Sequence, residues 1–330
     1  DDGQVRYWDA NRGSLHQVVA GHADRIWSAA LSPDGTTLAT ASSDKTVKLW
    51  EPREVVRPVS VAPHPGPVEA VAFLPDSKTL VTPGPGWDPR LAFWDADTGE
   101  WKSGLAVGEW VTRIAVSDVR SLLAVGTTAG RVHLYDLADG NRPPTSFSRR
   151  QPVALVALSP DGTILAYQLP PAEPHGPPVV TSLCDLASGS DILSVKTPVE
   201  LLSFCLDGKQ VTVVDREGFA QRFDLATRRL EAMRLPQRRA ASCLAYTPDA
   251  KTLAIGSADL SIKLYDPETG QERARLLGHR GVVVLAFSPD GRTLASASKA
   301  GEVLLWDVFT GQELSALDGH LGGVASLVFS

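Results

Sequence analysis

His22, Ser42 and Asp44 are the first residues in the chain whose types could do chemistry. A histidine set between a hydroxyl and a carboxylate is what a hydrolase uses to activate a serine. A second candidate is Asp95-Ala96-Asp97-Thr98-Gly99-Glu100, whose alternating acids imitate the opening of a calcium-binding loop. Neither stands alone. His64, His279 and His320 occupy the same place as His22 in later stretches of the chain. The acidic run aligns with Asp266-Pro267-Glu268-Thr269-Gly270 and Asp307-Val308-Phe309-Thr310-Gly311, which lack the alternation. A catalytic or metal site occurs once, whereas a set that recurs reads as bracing or as a turn. No catalytic residue, metal ligand or cofactor is therefore expected. Glycine-rich phosphate loops and the nucleophile elbow are absent too.

The elements that position these residues follow one ruler. The Ser-Pro of residues 32–33 has counterparts at Leu74, Ser117, Ser159, Cys205, Thr247, Ser288 and Ser330. The intervals run from 41 to 46 residues. Six residues before each slot stands a mostly aliphatic residue, Ile26, Val68, Val111, Val153, Val199, Ala241, Val282 or Val324. Repetition at this period means a stacked or radial repeat architecture.

Each repeat reads as four strands. The first is apolar on nearly every residue, as an inner strand covered on both faces must be. An SPDG turn follows it at 32–35, 159–162 and 288–291, with proline presetting φ and Asp-Gly accepting the left-handed geometry. Second strands are expected at Thr37–Ser42 and Thr293–Ser298. The third alternates, as in Thr46–Trp50, and a variable fourth follows, as in Glu313–Leu317. No stretch sustains a 3.6-residue apolar period, so the fold class is all-β.

A repeat of this length, with Gly21-His22 near one end and Trp-Asp at the other, resembles the Trp-Asp (WD) repeat family. Trp-Asp stands at Trp8-Asp9, Trp94-Asp95 and Trp306-Asp307, softened to Trp50-Glu51, Tyr135-Asp136, Cys184-Asp185, Phe223-Asp224 and Tyr265-Asp266. The resemblance covers essentially all of residues 1–330, and its style is that of bacterial tandem-repeat members. It implies a single β-propeller of four-stranded antiparallel blades, cut from a longer chain. Residues 1–21 read as third and fourth strands and residues 322–330 as a first strand. Eight blades are therefore expected, one shared between the termini and short of its second strand. A seven-bladed ring of residues 23–318 is the alternative.

The resemblance also implies that the histidines serve a structural network. Within one blade it would run through His22, Ser42, Asp44 and Trp50. His64 has Asp88 and Trp94 but Gly86 in the hydroxyl place, and His279 and Trp306 have Ala300 in place of the acid. The shared blade would join His320 to Asp2 and Trp8. The blades of Tyr135, Cys184 and Phe223 would depend on apolar packing.

Function in such a fold belongs to the end bearing the loops that lead into first strands and those between second and third strands. There the sequence offers Arg25, Arg113, Arg149, Arg150, Arg238, Arg239 and Arg280, with Trp27 and Trp110. Two irregular insertions join them: Thr82–Pro89, presenting Trp87, and the Pro-rich Gln168–Pro178. Arginine and tryptophan are enriched at interface hot spots, and arginine forks onto carboxylate and phosphate. The partner-binding candidates are Arg25, Trp87, Trp110, Arg113, Arg150, Arg239 and Arg280. The alternative is that the arginines are merely solvated and Trp27 and Trp110 pack inside their blades. The basic run Arg228–Arg239 reads as an outer strand whose charges deter edge pairing.

Bulk properties bound the rest. Over 330 residues the net charge is −6 and the hydrophobic fraction 43%. An acidic chain is no whole-surface nucleic-acid binder. Apolar runs are far shorter than the ~20 residues a bilayer needs. Cys184, Cys205 and Cys243 have no metal or disulfide spacing, consistent with a reducing, cytoplasmic setting. The expected function is a non-enzymatic protein–protein scaffold taking a protein or acidic or phosphorylated peptide, with no nucleic acid, membrane or self-association. The alternatives are an enzyme or ligand binder using its central channel, and an architectural module tethered to a signalling domain.

Overall fold

The computed structural model describes all residues except 1, 52–57, 62–63, 65, 67, 69, 85–88, 118, 139–143, 149–151, 170–179, 196–198, 206–207, 216–218, 234–240, 280, 318 and 330. These form seven four-stranded antiparallel sheets and one two-stranded hairpin. In every complete sheet the strands pair in chain order, so each sheet is one blade.

Two compact units divide the chain. Residues 27–198 hold blades 1–4, apart from Ile26 at the start of blade 1. Blade 1 is Ile26–Leu31, Leu38–Ser42, Val47–Trp50 and Val59–Val61. Blade 2 is Ala72–Phe73, Thr79–Pro83, Arg90–Asp95 and Trp101–Ala106. Blade 3 is Val111–Ser117, Leu122–Thr127, Arg131–Asp136 and Thr145–Ser148. Blade 4 is Leu155–Leu158, Ile164–Leu169, Val180–Asp185 and Ser190–Val195.

The other unit, residues 1–26 and 199–330, holds three blades and the hairpin. Blade 5 is Val199–Phe204, Gln210–Asp215, Ala220–Asp224 and Arg229–Met233. Blade 6 is Ala241–Tyr246, Leu253–Ser257, Ser261–Tyr265 and Glu272–Leu277. Blade 7 is Val282–Phe287, Thr293–Ser298, Val303–Asp307 and Glu313–Leu317. The hairpin is Gln4–Asp9 with Ser14–Ala20.

The core lies on second and third strands. Leu38–Ser42 and Leu253–Ser257 are buried at every residue, because each is covered by a neighbouring strand on both edges and by side chains on both faces. Fourth strands are the exposed edge: Trp101–Ala106 is exposed along most of its length. The SPDG turns close as expected. Ser32 Oγ donates to Asp34 Oδ1 at 2.6 Å and accepts from Thr37 N at 2.9 Å, while Gly35 takes φ +71°. The same pairs recur as Ser159–Asp161 and Ser288–Asp290.

The eightfold count is corrected. There are seven complete blades, and residues 321–329 form no strand. The physical reason is that a first strand is held by the ladder of its second strand, and among the described residues nothing offers that ladder here. The segment is nonetheless seated like a first strand. Val324 N donates to Ser298 O at 3.2 Å, as Val68 N does to Ser42 O and Val153 N to Thr127 O, both at 3.1 Å. Val324 is buried, and Leu327 and Phe329 pack with Trp8 and Ala10 against Leu305 and Leu317 of blade 7.

Candidate functional site

The histidine network is structural, and its hydroxyl is not the expected one. Trp50 Nε1 donates to Thr40 Oγ1 at 2.8 Å, Trp94 Nε1 to Thr82 Oγ1 at 2.9 Å, and Trp306 Nε1 to Ser296 Oγ at 2.7 Å. His64 Nε2 meets the same Thr82 oxygen at 3.2 Å, and His279 Nε2 the same Ser296 oxygen at 2.6 Å. Ser42 instead accepts from Asp44 N at 3.1 Å and so caps the turn to the third strand.

Strand register explains the correction. Leu38 faces Trp50, Leu80 faces Trp94 and Leu294 faces Trp306. Two residues further along the same face comes Thr40, Thr82 or Ser296, the diagonal neighbour that an indole can reach. The blade thought to lack a hydroxyl at Gly86 has one at Thr82. Likewise Ala300 is not a gap, because Glu302 Oε2 stands 3.6 Å from His279 Nδ1. Burial pushes His279 below its ordinary pKa despite Glu302, so the ring is a neutral brace.

The blades without a lead-in histidine are not held by apolar packing alone. In blade 3, Thr127 Oγ1 donates to Glu109 Oε2 at 2.6 Å, and Arg131 pairs with the same carboxylate. In blade 4, Tyr167 Oη donates to Asp191 at 2.8 Å. Tyr246 Oη meets Thr212 Oγ1 at 2.5 Å beside blade 5. Blade 6 buries Lys263, whose Nζ donates to Asp259 Oδ2 at 3.0 Å.

The calcium-like run is a turn. Asp95 Oδ1 accepts from Asp97 N at 3.0 Å and Thr98 N at 2.9 Å. Asp266 and Asp307 do the same for Glu268, Thr269, Phe309 and Thr310. The Thr98 amide and the Lys102 ammonium hold the Asp95 carboxyl down at about 2. No cluster of three metal-ligating side chains occurs among the described residues.

Of the partner-binding candidates, Trp87, Arg150, Arg239 and Arg280 lie outside the described residues, as do residues 85–88 and 170–178 of the two insertions. The described ones are exposed. Trp27 and Trp110 are 42% and 51% accessible, not packed inside their blades. Trp27 Nε1 donates to Ser43 Oγ at 2.6 Å, which fixes its ring at the mouth of the turn between second and third strands. Arg113 is exposed, its guanidinium donating to Thr112 O at 2.7 Å. Arg25 is exposed beside Asp24, whose Oδ1 takes the Arg25 amide at 2.6 Å. Sequence reasoning passed over Glu109, which stands next to Trp110 in the chain and pairs with Arg131.

A cluster at the hairpin joins the two ends of the described chain. Arg6 NH1 donates to Asp2 Oδ2 at 2.9 Å and to His320 Nδ1 at 2.5 Å, and Arg6 NH2 donates to Gly319 O at 2.5 Å. Burial alone would raise the Asp2 carboxyl, but bonds from Arg6 and the Gln4 amide, with His320 nearby, hold it down at about 2. A carboxyl depressed from its unfolded value of ~3.9 stabilises the fold above that pH and loses the contribution as pH falls through about 2. Asp2→Asn should thus be less stable than wild type by roughly 1 kcal/mol at pH 6. The two urea-unfolding midpoints should converge by pH 2, and a gap unchanged with pH would refute this role.

Three stretches, residues 13–51, 237–266 and 270–307, match the family model "WD domain, G-beta repeat". With the seven four-stranded sheets, these matches support a WD-repeat β-propeller. The WD repeat-containing protein slp1 of Schizosaccharomyces pombe is 28% identical over 171 residues, covering 50% of this chain and 35% of slp1. Nuclear distribution protein PAC1 of Arthroderma benhamiae is 28% identical over 210 residues, covering 59% of this chain and 45% of PAC1. The chain thus spans less than half the length of these WD-repeat relatives. Both are eukaryotic and lend no support to the bacterial style expected from the sequence. The crystal structure of Saccharomyces cerevisiae Sqt1 superimposes with a TM-score of 0.75 at 18% identity, covering 93% of this chain and 88% of Sqt1. That likeness carries the fold.

Proposed function

We propose that residues 1–330 act as one non-enzymatic WD-repeat scaffold that docks a protein or peptide at the lead-in loops. The observation that carries this is the pair of half-exposed indoles, Trp27 and Trp110, each at the start of a first strand. Leaving a large apolar ring in water forgoes about 1.5–3 kcal/mol of burial, which a partner would recover. Arg25 and Arg113, two and three residues along the chain from these indoles, favour a ligand with carboxylate or phosphate groups. The relatives are WD-repeat proteins, which supports a binding module over an enzyme.

An array of Asp/Glu-rich, phosphoserine and Lys-rich peptides tests the reading. Acidic or phosphorylated peptides should bind, and a Trp27→Ala, Trp110→Ala, Arg113→Glu triple variant should lose at least tenfold in affinity while keeping its circular dichroism. Preference for Lys-rich peptides, or unchanged binding by the variant, would sink it.

A further inference from the structure

Blade 3 replaces a buried brace with a charged one nearer the surface. Gly108-Glu109 stands where Gly21-His22 and Gly278-His279 stand in blades 1 and 7, so a carboxylate takes the place of the imidazole. In blade 7 the histidine reaches Ser296, two residues past the leucine that faces the blade's tryptophan. In blade 3 Leu123 faces Tyr135, and two residues on stands Val125, buried and without a hydroxyl. The acid stops higher, at Thr127, the last residue of the second strand.

Thr127 and Arg131 grip it there. Thr127 Oγ1 donates to one Glu109 oxygen at 2.6 Å and accepts from the Arg131 amide at 3.0 Å. The Arg131 guanidinium pairs with the other oxygen. The Glu109 side chain is 12% exposed, that of Arg131 51%. His133 lies on the same strand face as Arg131, and burial pushes it below its ordinary pKa. At neutral pH that histidine is uncharged, so Arg131 supplies the charge that offsets the carboxylate.

The residue after Glu109 is Trp110, one of the two docking indoles. Its carbonyl accepts from Thr128 N at 2.9 Å, and Pro89 O takes Val107 N at 3.0 Å and Gly108 N at 3.1 Å. Glu109 adds a side-chain tie between this loop and the turn at 128–130. Blade 7 uses the same two places with the polarity reversed. There the lead-in residue is the base, His279, and the acid is Glu302, 3.6 Å from His279 Nδ1. Glu302 follows Ser298 by four residues, as Arg131 follows Thr127. What the fold asks of the two places is complementarity, in either order.

We propose that Glu109 is a positioning residue of the docking end: gripped by Thr127 and Arg131, it holds the Trp110 loop in the shape that an acidic or phosphorylated peptide meets. This rests on the docking reading above and adds that affinity for an anionic ligand depends on an acid. A bare charge effect has the opposite sign. Removing a carboxylate beside an anion site tightens an acidic ligand, whereas loosening the loop that carries its anchor weakens it.

Two fluorescein-labelled peptides are the probes, hexaglutamate and the same peptide with phosphoserine at its third place, read by anisotropy against the 330-residue chain. Glu109→Gln keeps the side-chain length and can still accept from Thr127, so the circular dichroism should stay. Whichever probe wild type binds should bind this variant roughly fivefold more weakly. Arg131→Gln should match it. Glu109→Lys with Arg131→Glu, blade 7's polarity, should return affinity to within about twofold of wild type. Without peptide, hydrogen exchange at the Thr128 amide should quicken roughly fivefold in both single variants and not in the swapped pair. Unchanged or tighter binding by Glu109→Gln, unaltered exchange at Thr128, or no recovery in the swapped pair would each overturn the clamp. Wild type binding neither probe would overturn the docking reading instead, and exchange at Thr128 would still decide the clamp.

Discussion

Trp306→Ala should destabilise the fold by about 3–5 kcal/mol, read as a drop in the urea midpoint followed by fluorescence of the remaining tryptophans. Trp306 is 3% exposed and packs with Leu294, Leu304, Leu276 and Ile262, so the truncation opens a cavity that rigid strands cannot close. It also removes one of the hydrogen bonds to the Ser296 hydroxyl. Trp306→Phe separates the two effects. The ring volume is largely kept while the N–H donor goes, at about 1–2 kcal/mol, because His279 Nε2 and Leu304 O still engage Ser296 Oγ. Trp8→Ala is the comparison that matters. Trp8 is half-buried and makes no such bond, so its loss should cost less than half as much. Equal costs at Trp8 and Trp306 would mean that the hairpin is braced as fully as a complete blade.

Much of this was legible because the repeat is read eight times over. The second and fourth strands expected at Thr293–Ser298 and Glu313–Leu317 are those found. Period-2 alternation at Val47, Lys48 and Leu49 gave the third strand, since only a pleated strand with one buried face needs it. The hydroxyl was misplaced by two residues for a definite reason. Sequence spacing aligns Ser42 with the turn, but hydrogen-bond partners are set by cross-strand register, and Leu38 opposite Trp50 brings Thr40 under the indole. The braces of blades 3 and 4 were invisible because Glu109 and Asp191 come from segments that vary between repeats. The blade count failed on a different point. A strand needs a neighbour as well as a pattern, and residues 321–329 have the pattern only.

At one turn position two opposite substitutions, adding a side chain in one blade and removing one in another, test what glycine is needed for. The residue after the second strand's turn takes positive φ in each case: Lys45 at +69°, Leu260 at +71°, Gly3 at +67° and Gly301 at +89°. Left-handed geometry alone does not demand glycine there, because lysine and leucine adopt it, at about 1–2 kcal/mol. What demands it at Gly301 is the next lead-in loop. A Cβ on Gly301 would stand 2.6 Å from His320 O and 2.9 Å from Gly322 O, both backbone atoms that cannot rotate away. Gly301→Ala should therefore cost about 2–4 kcal/mol, strain and displacement together. Pushing His320 aside should also shrink the cost of Asp2→Asn at pH 6, since the carboxylate would lose its histidine neighbour and Arg6 its anchor at Gly319, while the bonds from Arg6 and the Gln4 amide stay. Leu260 is half-exposed, and Leu260→Gly should be neutral or stabilising by up to about 1 kcal/mol, as relief of strain offsets the added freedom of the unfolded chain. Urea midpoints of the two single variants decide it. A tolerated Gly301→Ala would mean that the loop carrying His320 is not held against blade 7, and the network at the hairpin would then have no fixed wall to build on.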